Sequence, residues 1–310
     1  MTIVVAGSTG LVGSAIVRHF EKKGIQTVGV NRSVVNLFDS KATRDFIAKI
    51  KPSLIIDAAA RVGGIEANSQ RPVEFLSENL LIQNNLMAAA HNASVSKFVF
   101  LGSSCIYPRN SAQPIKEEYL MTGPLEETNS AYATAKIAGI ELVNSYRKEF
   151  GYKWISLMPT NLYGPQDNFN LESSHVLPAL IRKFIDAKNE NKSSVTLWGS
   201  GNPRREFLHV DDLASAVEIS LESYDSDLHM NIGTGEDLTI KELSSLISEL
   251  TGFGGEILWD TSKADGTPRK VLDVTRVQAL GWTPKISLRD GIRSTIDWYK
   301  ENSEKGLVRK

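Results

Sequence analysis

The chain has 310 residues, 41% of them hydrophobic and 23% charged, and its 35 Lys and Arg nearly balance its 36 Asp and Glu. This balance offers no polyanion-binding surface, so no nucleic-acid partner is expected. With one cysteine, no signal-peptide pattern and no apolar run near the roughly 20 residues that cross a membrane, we expect a cytoplasmic protein with neither an intrachain disulfide nor a membrane partner.

The first half of the chain alternates short apolar runs with longer helical patterns. The apolar runs have the continuous character of buried parallel strands, and they lie at residues 3–6, 27–30, 54–57, 98–101 and 154–157. The helical patterns lie between them, at residues 11–22, 42–50, 72–91 and 131–150. Strand–helix alternation over this length predicts an α/β fold with a doubly wound parallel sheet.

The rhythm changes after about residue 165. A polar loop at 166–174 precedes a predicted helix at 176–187 and a short strand at 195–198. Thr239 and Ser287 each stand three positions before an acidic residue, which is typical of a capped helix start. These shorter units predict a part of the chain that is organised differently from the sheet.

Two regions are predicted from this change. Residues 1–165 are expected to form the sheet domain, and residues 166–310 mainly a smaller C-terminal α/β lobe. The chain is expected to return to the sheet domain around residues 205–235, because residues 227–233 have the pattern of another strand and its loop.

A glycine-rich loop follows the first predicted strand. Gly7, Gly10 and Gly13 stand between that strand and the first helix, in the spacing Gly-x-x-Gly-x-x-Gly. The first glycine permits a tight turn, the second lets the backbone approach a pyrophosphate, and the third lets the helix pack on the strand. The context, a strand followed by a helix, favours a dinucleotide site over a structural turn. The other residues of this predicted site are Ser8, Thr9, Leu11 and Val12.

Arg32 indicates which dinucleotide is bound. An NAD enzyme usually carries an acidic residue near the end of the second strand, where it binds the ribose hydroxyls, but this chain has Asn31, Arg32 and Ser33. An arginine at this place can pair with a 2′-phosphate, so NADP(H) is favoured over NAD. The alternative is that Arg32 is a solvated surface residue that binds no phosphate. Only its position at the end of the second predicted strand argues against this alternative.

Tyr132 and Lys136 form a Tyr-x-x-x-Lys motif, and this spacing places both side chains on one face of a helix. An ammonium group beside a phenol favours the phenolate, so we expect Lys136 to lower the pKa of Tyr132. Ser103 follows the buried strand upstream, and its hydroxyl can bind a substrate oxygen beside the tyrosine. Together with the glycine loop, these residues predict redox chemistry on a carbonyl or an alcohol.

Longer segments of the chain resemble the GDP-L-fucose synthase family of extended short-chain dehydrogenases/reductases, and the resemblance runs essentially end to end. The segments that carry it are AAARVGGI at 58–65, LGSSCIYP at 101–108, YATAKIAG at 132–139, MPTNLYGP at 158–165, SHVLPA at 174–179, WGSG at 198–201, REFLHVDD at 205–212 and DGTPRK at 265–270. Such long, ordered matches are far more specific than a glycine triplet.

The resemblance implies an NADP-dependent 3,5-epimerase/4-reductase that acts on GDP-4-keto-6-deoxy-D-mannose, with residues 1–165 as an NADP-binding Rossmann-type domain. By position, Ser103 and Tyr132 would hold the substrate O4, and Tyr132 would donate its proton. Lys136 would bind the nicotinamide ribose. Cys105 and His175 would be the acid/base pair of the epimerisation.

The family pattern also implies binding contacts. The further cofactor contacts are Leu101, Gly102, Ser103, Ser104, Lys136, Pro159, Thr160, Asn161, Leu162 and His175. The substrate contacts are Lys183, Trp198, Arg205, Asp265 and Lys270, and no metal ligand is implied. The chain departs from the pattern at Lys183, where relatives usually have Arg, because a lysine cannot make a planar bidentate contact. Thr9 stands where some relatives carry Arg, so Arg32 would act more nearly alone on a 2′-phosphate.

Cys105 and His175 suit the implied epimerisation. A C4 ketone acidifies the protons at C3 and C5, because the resulting enolate is delocalised onto O4, where hydroxyl donors can stabilise it. A thiol and an imidazole have reference pKa values of about 8.5 and 6.5, so both exchange protons near neutrality. Without the resemblance, the cysteine would be read as a small buried filler and the histidine as a capping or surface residue.

Three other functions are less consistent with these residues. A GDP-mannose 4,6-dehydratase would be expected to carry an acidic pair beside the strand-end hydroxyl, where this chain has Ser104 and Cys105. A UDP-sugar 4-epimerase needs no Cys/His pair. A non-catalytic NADP-binding sensor would be expected to have lost Tyr132 or Lys136, and both are present.

A homodimer built on two long helices is a further implication of the resemblance. The helical patterns at 72–91 and 131–150 are long enough to form that bundle. The alternative is that their apolar faces simply pack on the sheet.

Overall fold

The computed structural model describes residues 1–263 and 265–309. Its strands are β1 (Thr2–Ala6), β2 (Gln26–Val30), β3 (Leu54–Asp57), β4 (Lys97–Leu101), β5 (Ile155–Pro159), β6 (Asn161–Tyr163), β7 (Ser194–Trp198), β8 (Arg204–Arg205), β9 (Phe207–His209), β10 (Met230–Ile232), β11 (Leu238–Thr239), β12 (Glu256–Asp260) and β13 (Arg269–Lys270). Its helices are α1 (Leu11–Lys22), α2 (Ser40–Ile50), α3 (Ile65–Gln70), α4 (Pro72–Asn92), α5 (Ser130–Phe150), α6 (Val176–Asn189), α7 (Val210–Ser223), α8 (Ile240–Thr251), α9 (Thr275–Gln278) and α10 (Leu288–Glu304).

The centre of the fold is a parallel sheet in the order β10-β5-β4-β3-β1-β2. Strands β1, β3, β4 and β5 are almost wholly buried, because helices cover both faces of the sheet. Helices α2, α4 and α5 pack side by side on one face, while α1 and α7 pack together on the other. The predicted doubly wound Rossmann-type fold is confirmed.

The strand order reverses at β1, which lies between β2 and β3. In open parallel sheets, ligands bind beyond the carboxyl ends of the strands at such a reversal. Because all of these strands run in the same direction, the segments after Ala6, Asp57, Leu101 and Pro159 emerge at one edge. This edge is where the predicted cofactor and catalytic residues meet.

A second hydrophobic cluster lies beside the core of the sheet. Helices α6, α8 and α10 contribute Phe184, Ile247 and Ile296 to it. Strand β12 pairs in parallel with β7, and β11, β8 and β13 form a small separate sheet. By contrast, α7 packs with the main core, and β10 pairs with β5 at the edge of the main sheet. The domain boundary near residue 165 stays a prediction.

Most elements lie within a few residues of their predicted positions. The helix starts at Thr239 and Ser287 are capped as predicted, since each hydroxyl accepts a hydrogen bond from the backbone N–H three residues on, at 3.0 and 3.1 Å. The prediction missed α3, α7, α9 and β12, and the strands of two or three residues other than β10. Most of these segments are too short to carry an apolar period of their own, and their partners are distant in sequence.

Glu206 fixes the strands that approach the sheet edge from the C-terminal part. It is fully buried, and its carboxylate accepts hydrogen bonds from the backbone N–H groups of Gly235 at 2.8 Å and Leu272 at 2.9 Å, as well as from Thr234. Its carbonyl oxygen accepts from Asn161 Nδ2 at 2.8 Å. These contacts hold the neighbouring Arg205 beside the end of β5.

Candidate active site

The glycine loop forms a cradle between β1 and α1. Gly7 has a φ of +76°, and a Cβ there would lie 2.6 Å from the carbonyl oxygen of Ala58. A Cβ on Gly13 would overlap the backbone of Gly7, so this glycine is what lets α1 approach the loop. Gly10 caps α1 without any side-chain hydrogen bond. The first N–H groups of the helix are therefore directed toward an anion at this edge of the sheet.

The residues around this cradle complete a surface for a dinucleotide. Ser8 N donates to the carbonyl of Val30 at 3.0 Å and so ties the loop to β2. Thr9 is exposed at the rim. Arg32 is exposed in the turn after β2, and within the described residues its guanidinium makes no hydrogen bond or ion pair. A 2′-phosphate is the group that such an arginine could bind here.

The ends of β4 and β5 continue the same edge. Leu101, Gly102 and Ser104 are buried there, as are Pro159 and Thr160. Thr160 N donates to the carbonyl of Ile232 at 3.0 Å, which joins the end of β5 to β10. The structure thus brings the predicted cofactor residues of four loops together, with Leu11, Val12, Asn161 and Leu162 half-buried beside them.

Lys136 lies beneath this edge, on α5. Its side chain is 3% exposed, and Nζ donates to the carbonyl of Leu101 at 2.9 Å. Burial lowers the pKa of Lys136 to about 8, and the nearby carboxyl of Asp57 acts in the opposite direction. Nζ lies 5.9 Å from the centroid of the Tyr132 ring, so the predicted helix-face pair is in place.

Tyr132 lies near the loop after β4, within reach of the Ser103 hydroxyl. Burial raises the pKa of Tyr132 well above its ordinary value, Cys105 raises it further, and the Ser103 hydroxyl opposes the shift. The prediction that the pKa of Tyr132 is lowered was wrong, because loss of solvent dominates, and the group that opposes it is the hydroxyl of Ser103 rather than the ammonium of Lys136. Tyr132 therefore holds its proton at neutral pH.

Cys105 and Lys270 meet in the adjoining cleft. The turn at Ser104–Ile106 presents the thiol, and the hydroxyl of Ser103 accepts a hydrogen bond from Cys105 N at 3.3 Å. Lys270 Nζ, on β13, lies 3.5 Å from Cys105 Sγ. A residue assigned to substrate binding therefore also contacts the thiol.

His175 stands at the start of α6 and makes no capping hydrogen bond with its side chain. The residue is exposed at the surface, but the surrounding protein excludes much of the bulk solvent. This loss of hydration lowers the pKa of His175, and the positive charge of Lys270 lowers it further. The imidazole is therefore neutral at neutral pH and lies within the field of the same lysine that touches Cys105.

Among the predicted substrate residues, Lys270 lines this cleft, and Arg205 lies near Cys105 and Asp265. Burial lowers the pKa of Arg205, and the nearby Cys105, Glu126 and Asp265 oppose this shift. Asp265 accepts hydrogen bonds from the backbone N–H and the hydroxyl of Ser200, each at 2.7 Å, and these bonds lower its pKa. The carboxylate thus shapes the loop after β7, where Trp198 is 57% exposed.

Lys183 lies with its Nζ 5.6 Å from the centroid of the Trp198 ring, and partial burial lowers its pKa. The adjacent Arg182 is directed elsewhere, since it donates to the carbonyl of Phe169 at 3.1 Å. Arg182 therefore does not replace the planar contact that a lysine lacks. Lys183 and the exposed indole together form a flat, cationic platform.

Two acidic residues of the site were missed by the sequence analysis. Asp57 ends β3 and is 1% exposed beside Lys136. Glu126 lines the cleft, where it pairs with Arg109 at 3.2 Å and accepts from the hydroxyl of Thr267 at 3.3 Å. The signal for Asp57 was an acid closing an otherwise apolar run; Glu126 lies in a loop that carried no signal.

In residues 1–263 and 265–309, no group of three or more His, Cys, Asp and Glu side chains is arranged to hold a metal ion. Across the same residues, every helix is too short or too polar to cross a bilayer.

A parallel sheet with a glycine cradle at its strand reversal, and with Ser103, Tyr132 and Lys136 at the same edge, defines an extended short-chain dehydrogenase/reductase. The model of the NAD dependent epimerase/dehydratase family matches residues 3–233. The chain belongs to this family, in the branch that contains the GDP-L-fucose synthases.

The similarity to individual relatives covers nearly the whole chain. A putative GDP-L-fucose synthase 2 of Arabidopsis thaliana is 52% identical over 301 residues, which are 97% of this chain and 92% of the relative. The GDP-L-fucose synthase of Escherichia coli K12 is 48% identical over 313 residues and covers 98% of each chain. A GDP-L-fucose synthetase of Naegleria fowleri bound to NADP superposes with a TM-score of 0.91 at 31% identity, covering 100% of this chain and 96% of that one.

We expect Arg32→Ala to weaken NADPH binding and to leave NADH binding unchanged, because only NADPH carries the 2′-phosphate. Loss of charge-assisted hydrogen bonds, worth about 1.5–3 kcal/mol, corresponds to an increase in Kd of roughly 10- to 100-fold. Titration of protein fluorescence with each nucleotide measures both constants. Arg44→Ala, which removes an exposed arginine of α2, is the matched control. Equal increases in the Kd values for NADPH and NADH would show that Arg32 does not bind the 2′-phosphate.

Proposed function

We propose that the chain converts GDP-4-keto-6-deoxy-D-mannose to GDP-L-fucose, by epimerisation at C3 and C5 and reduction at C4 with NADPH. The observation that carries this proposal is the meeting of a thiol and an imidazole at Lys270, beside the redox residues Ser103 and Tyr132. A reductase without epimerase activity would need only Ser103 and Tyr132. The names of the curated relatives support the same substrate.

The two hydroxyls hold the C4 oxygen. The Ser103 and Tyr132 hydroxyls lie near each other, so a carbonyl oxygen placed between them would receive two O–H donors. Donors in that position stabilise the negative charge that develops on O4 when a proton leaves C3 or C5. The same contacts therefore serve both the epimerisation and the reduction.

Cys105 and His175 exchange the carbon-bound protons. Inversion requires removal of a proton from one face of the sugar and its return from the other, so two groups are needed. His175 is neutral at neutral pH and can take up or release a proton through its ring nitrogens. Cys105 reaches the cleft from the opposite element, the turn after β4, with Lys270 at its sulfur.

The residues at the sheet edge fit NADP(H). This fit rests on the cradle in which Cβ atoms at Gly7 and Gly13 would clash and on the start of α1, which no side chain caps. It also rests on Arg32, which makes no hydrogen bond or ion pair within residues 1–263 and 265–309. When bound, the nucleotide supplies the hydride for C4. Lys136 would hold its nicotinamide ribose, and Tyr132 would donate a proton to O4. The remaining residues that would hold it are Ser8, Thr9, Gly10, Leu11, Val12, Leu101, Gly102, Ser103, Ser104, Pro159, Thr160, Asn161, Leu162 and His175.

The outer cleft would hold the nucleotide diphosphate. Arg205 and Lys270 supply positive charge next to the acid/base pair. Trp198 and Lys183 offer a flat face for the base, and Asp265 maintains the loop that carries it. The side chains that would bind the charged diphosphate thus lie next to those that would act on the sugar.

An assay with the purified chain, NADPH and GDP-4-keto-6-deoxy-D-mannose tests the function. We expect nicotinamide absorbance to fall and GDP-L-fucose to form, identified by chromatography and NMR. A reduced sugar that keeps its original configuration at C3 and C5 would identify a C4 reductase without epimerase activity. Folded protein that consumes no NADPH would contradict the proposal altogether.

We expect Cys105→Ser to bind NADPH normally but to lose exchange of solvent deuterium into C3 and C5 of the substrate. A hydroxyl exchanges protons poorly near neutrality, and loss of a general acid/base group typically costs about 10²–10⁴-fold. Mass spectrometry of the sugar in D₂O measures the exchange. Cys105→Ala is the matched variant, because its side chain has no exchangeable proton. Exchange at both carbons that persists in both variants would remove Cys105 from the mechanism.

We also propose a cytoplasmic homodimer formed through α4 and α5. Helix α4 leaves Val73 and Leu81 exposed, although its opposite face is buried against α2 and α5. We expect light scattering to give twice the 34.1 kDa of one chain. Leu81→Glu should yield monomers, while Leu307→Glu, at another exposed leucine, should not. A monomeric parent chain would contradict the proposed dimer. Cell fractionation tests the proposed cytoplasmic location.

A further inference from the structure

Asp57 is a buried carboxyl that the proposed mechanism does not use. It is the last residue of β3, it is 1% exposed, and its Oδ1 accepts a hydrogen bond from Ala59 N at 3.2 Å. Its Oδ2 has no hydrogen-bond partner within residues 1–263 and 265–309. Burying a carboxyl with an unused oxygen is costly, so a merely structural role explains it poorly.

The geometry of the sheet places this carboxyl beside Lys136. Asp57 is paired with Phe100 of β4 in the parallel register, and paired residues project from the same face of a sheet. Lys136 Nζ lies 4.8 Å from the centroid of the Phe100 ring, on the face that α5 covers. The ammonium and the unpartnered carboxyl oxygen therefore share one buried space.

Each of these groups is the other's charged neighbour. In the part of the chain that the structure describes, Lys136 is the charged group that acts on Asp57, and Asp57 is the one that acts on Lys136. The strands on either side of β3 contribute the uncharged Ala6 and Phe100 at this level. The ammonium of Lys136 has three N–H donors, and one of them binds the carbonyl of Leu101. The other two are available for Asp57 and for a ribose hydroxyl.

We propose that Asp57 is a positioning residue that acts through Lys136: its carboxylate keeps the buried lysine positively charged while Lys136 holds the nicotinamide ribose next to Tyr132. The role of Lys136 on the ribose rests on the proposed function. The pairing of Lys136 with Asp57 rests on the structure.

The pKa values of the pair define the pH range of this arrangement. Burial raises the pKa of Asp57 to about 6, and burial lowers the pKa of Lys136 to about 8. Between these values, the carboxylate and the ammonium coexist. Removal of the carboxylate leaves the lysine with burial alone, so its pKa falls further. The lysine then loses its proton at a lower pH than in the parent chain.

The test is Asp57→Asn, which keeps the shape of the side chain and the oxygen that accepts from Ala59 N. NADPH affinity is measured by fluorescence from pH 6 to pH 9, together with kcat/KM on the GDP-sugar. We expect the alkaline midpoint of both profiles to move down by about one pH unit, the lower end of the effect of a neighbouring opposite charge. The NADPH Kd would then rise roughly five-fold at pH 8 and less than two-fold at pH 6.

Unmoved alkaline midpoints in a folded Asp57→Asn chain would overturn the proposal, because a residue that only shapes the loop would leave them in place. If the parent chain fails to turn over the GDP-sugar, the proposed function fails, but the NADPH profile still tests Asp57. The matched control is Asp45→Asn, which removes an exposed carboxyl of α2 and should shift neither profile.

A reciprocal measurement does not depend on the folding of the Asp57 variant. Carboxyl ¹³C resonances of aspartate-labelled protein are followed with pH in the parent chain and in Lys136→Met. We expect one carboxyl to titrate near pH 6 in the parent and at a higher pH in Lys136→Met, because the ammonium that favours the carboxylate is gone. Asp167, a second buried aspartate whose pKa burial raises to about 7, should have the same midpoint in both proteins. A carboxyl that titrates near pH 6 in both proteins would contradict the coupling.

Discussion

The hydrogen bond from Lys136 Nζ to the carbonyl of Leu101 is the contact on which the active site depends. A buried ammonium is unstable without acceptors, so α5 must approach the end of β4 closely enough to make this bond. Leu101 is also the residue from which the chain turns toward Ser103 and Cys105. Tyr132 lies one helical turn before Lys136. This one hydrogen bond therefore fixes the positions of α5, Tyr132 and the loop that carries Cys105 relative to one another.

Lys270 has the corresponding part in the cleft. Its ammonium touches the sulfur of Cys105 and lowers the pKa of His175, while Arg205 adds a second positive charge nearby. Cations inside a partly enclosed cleft attract an anionic ligand more strongly than the same charges on an open surface. A diphosphate bound there would partly neutralise Lys270. Binding of the nucleotide and the acid/base chemistry of the sugar would thus be coupled through one side chain.

The parts of the site that could be predicted from the sequence are those set by local structure. Gly7 to Gly13 could be placed because a strand, a turn and a helix follow each other directly, and Tyr132 could be paired with Lys136 by helical spacing. The contact between Cys105 and Lys270 joins residues 165 positions apart, so only the family resemblance brought them into one site. Asp57 escaped notice because nothing local shows which helix covers its strand. The direction of the Tyr132 pKa shift was predicted wrongly because the burial of a side chain depends on the whole fold.

The pKa directions at the sheet edge favour one direction of redox chemistry. Burial raises the pKa of Tyr132, so the phenol enters the reaction with its proton in place. Oxidation of an alcohol would require the phenolate as a base, which this environment disfavours, whereas reduction of a ketone requires a proton donor at O4. The buried site therefore stores the proton that a ketone reduction consumes.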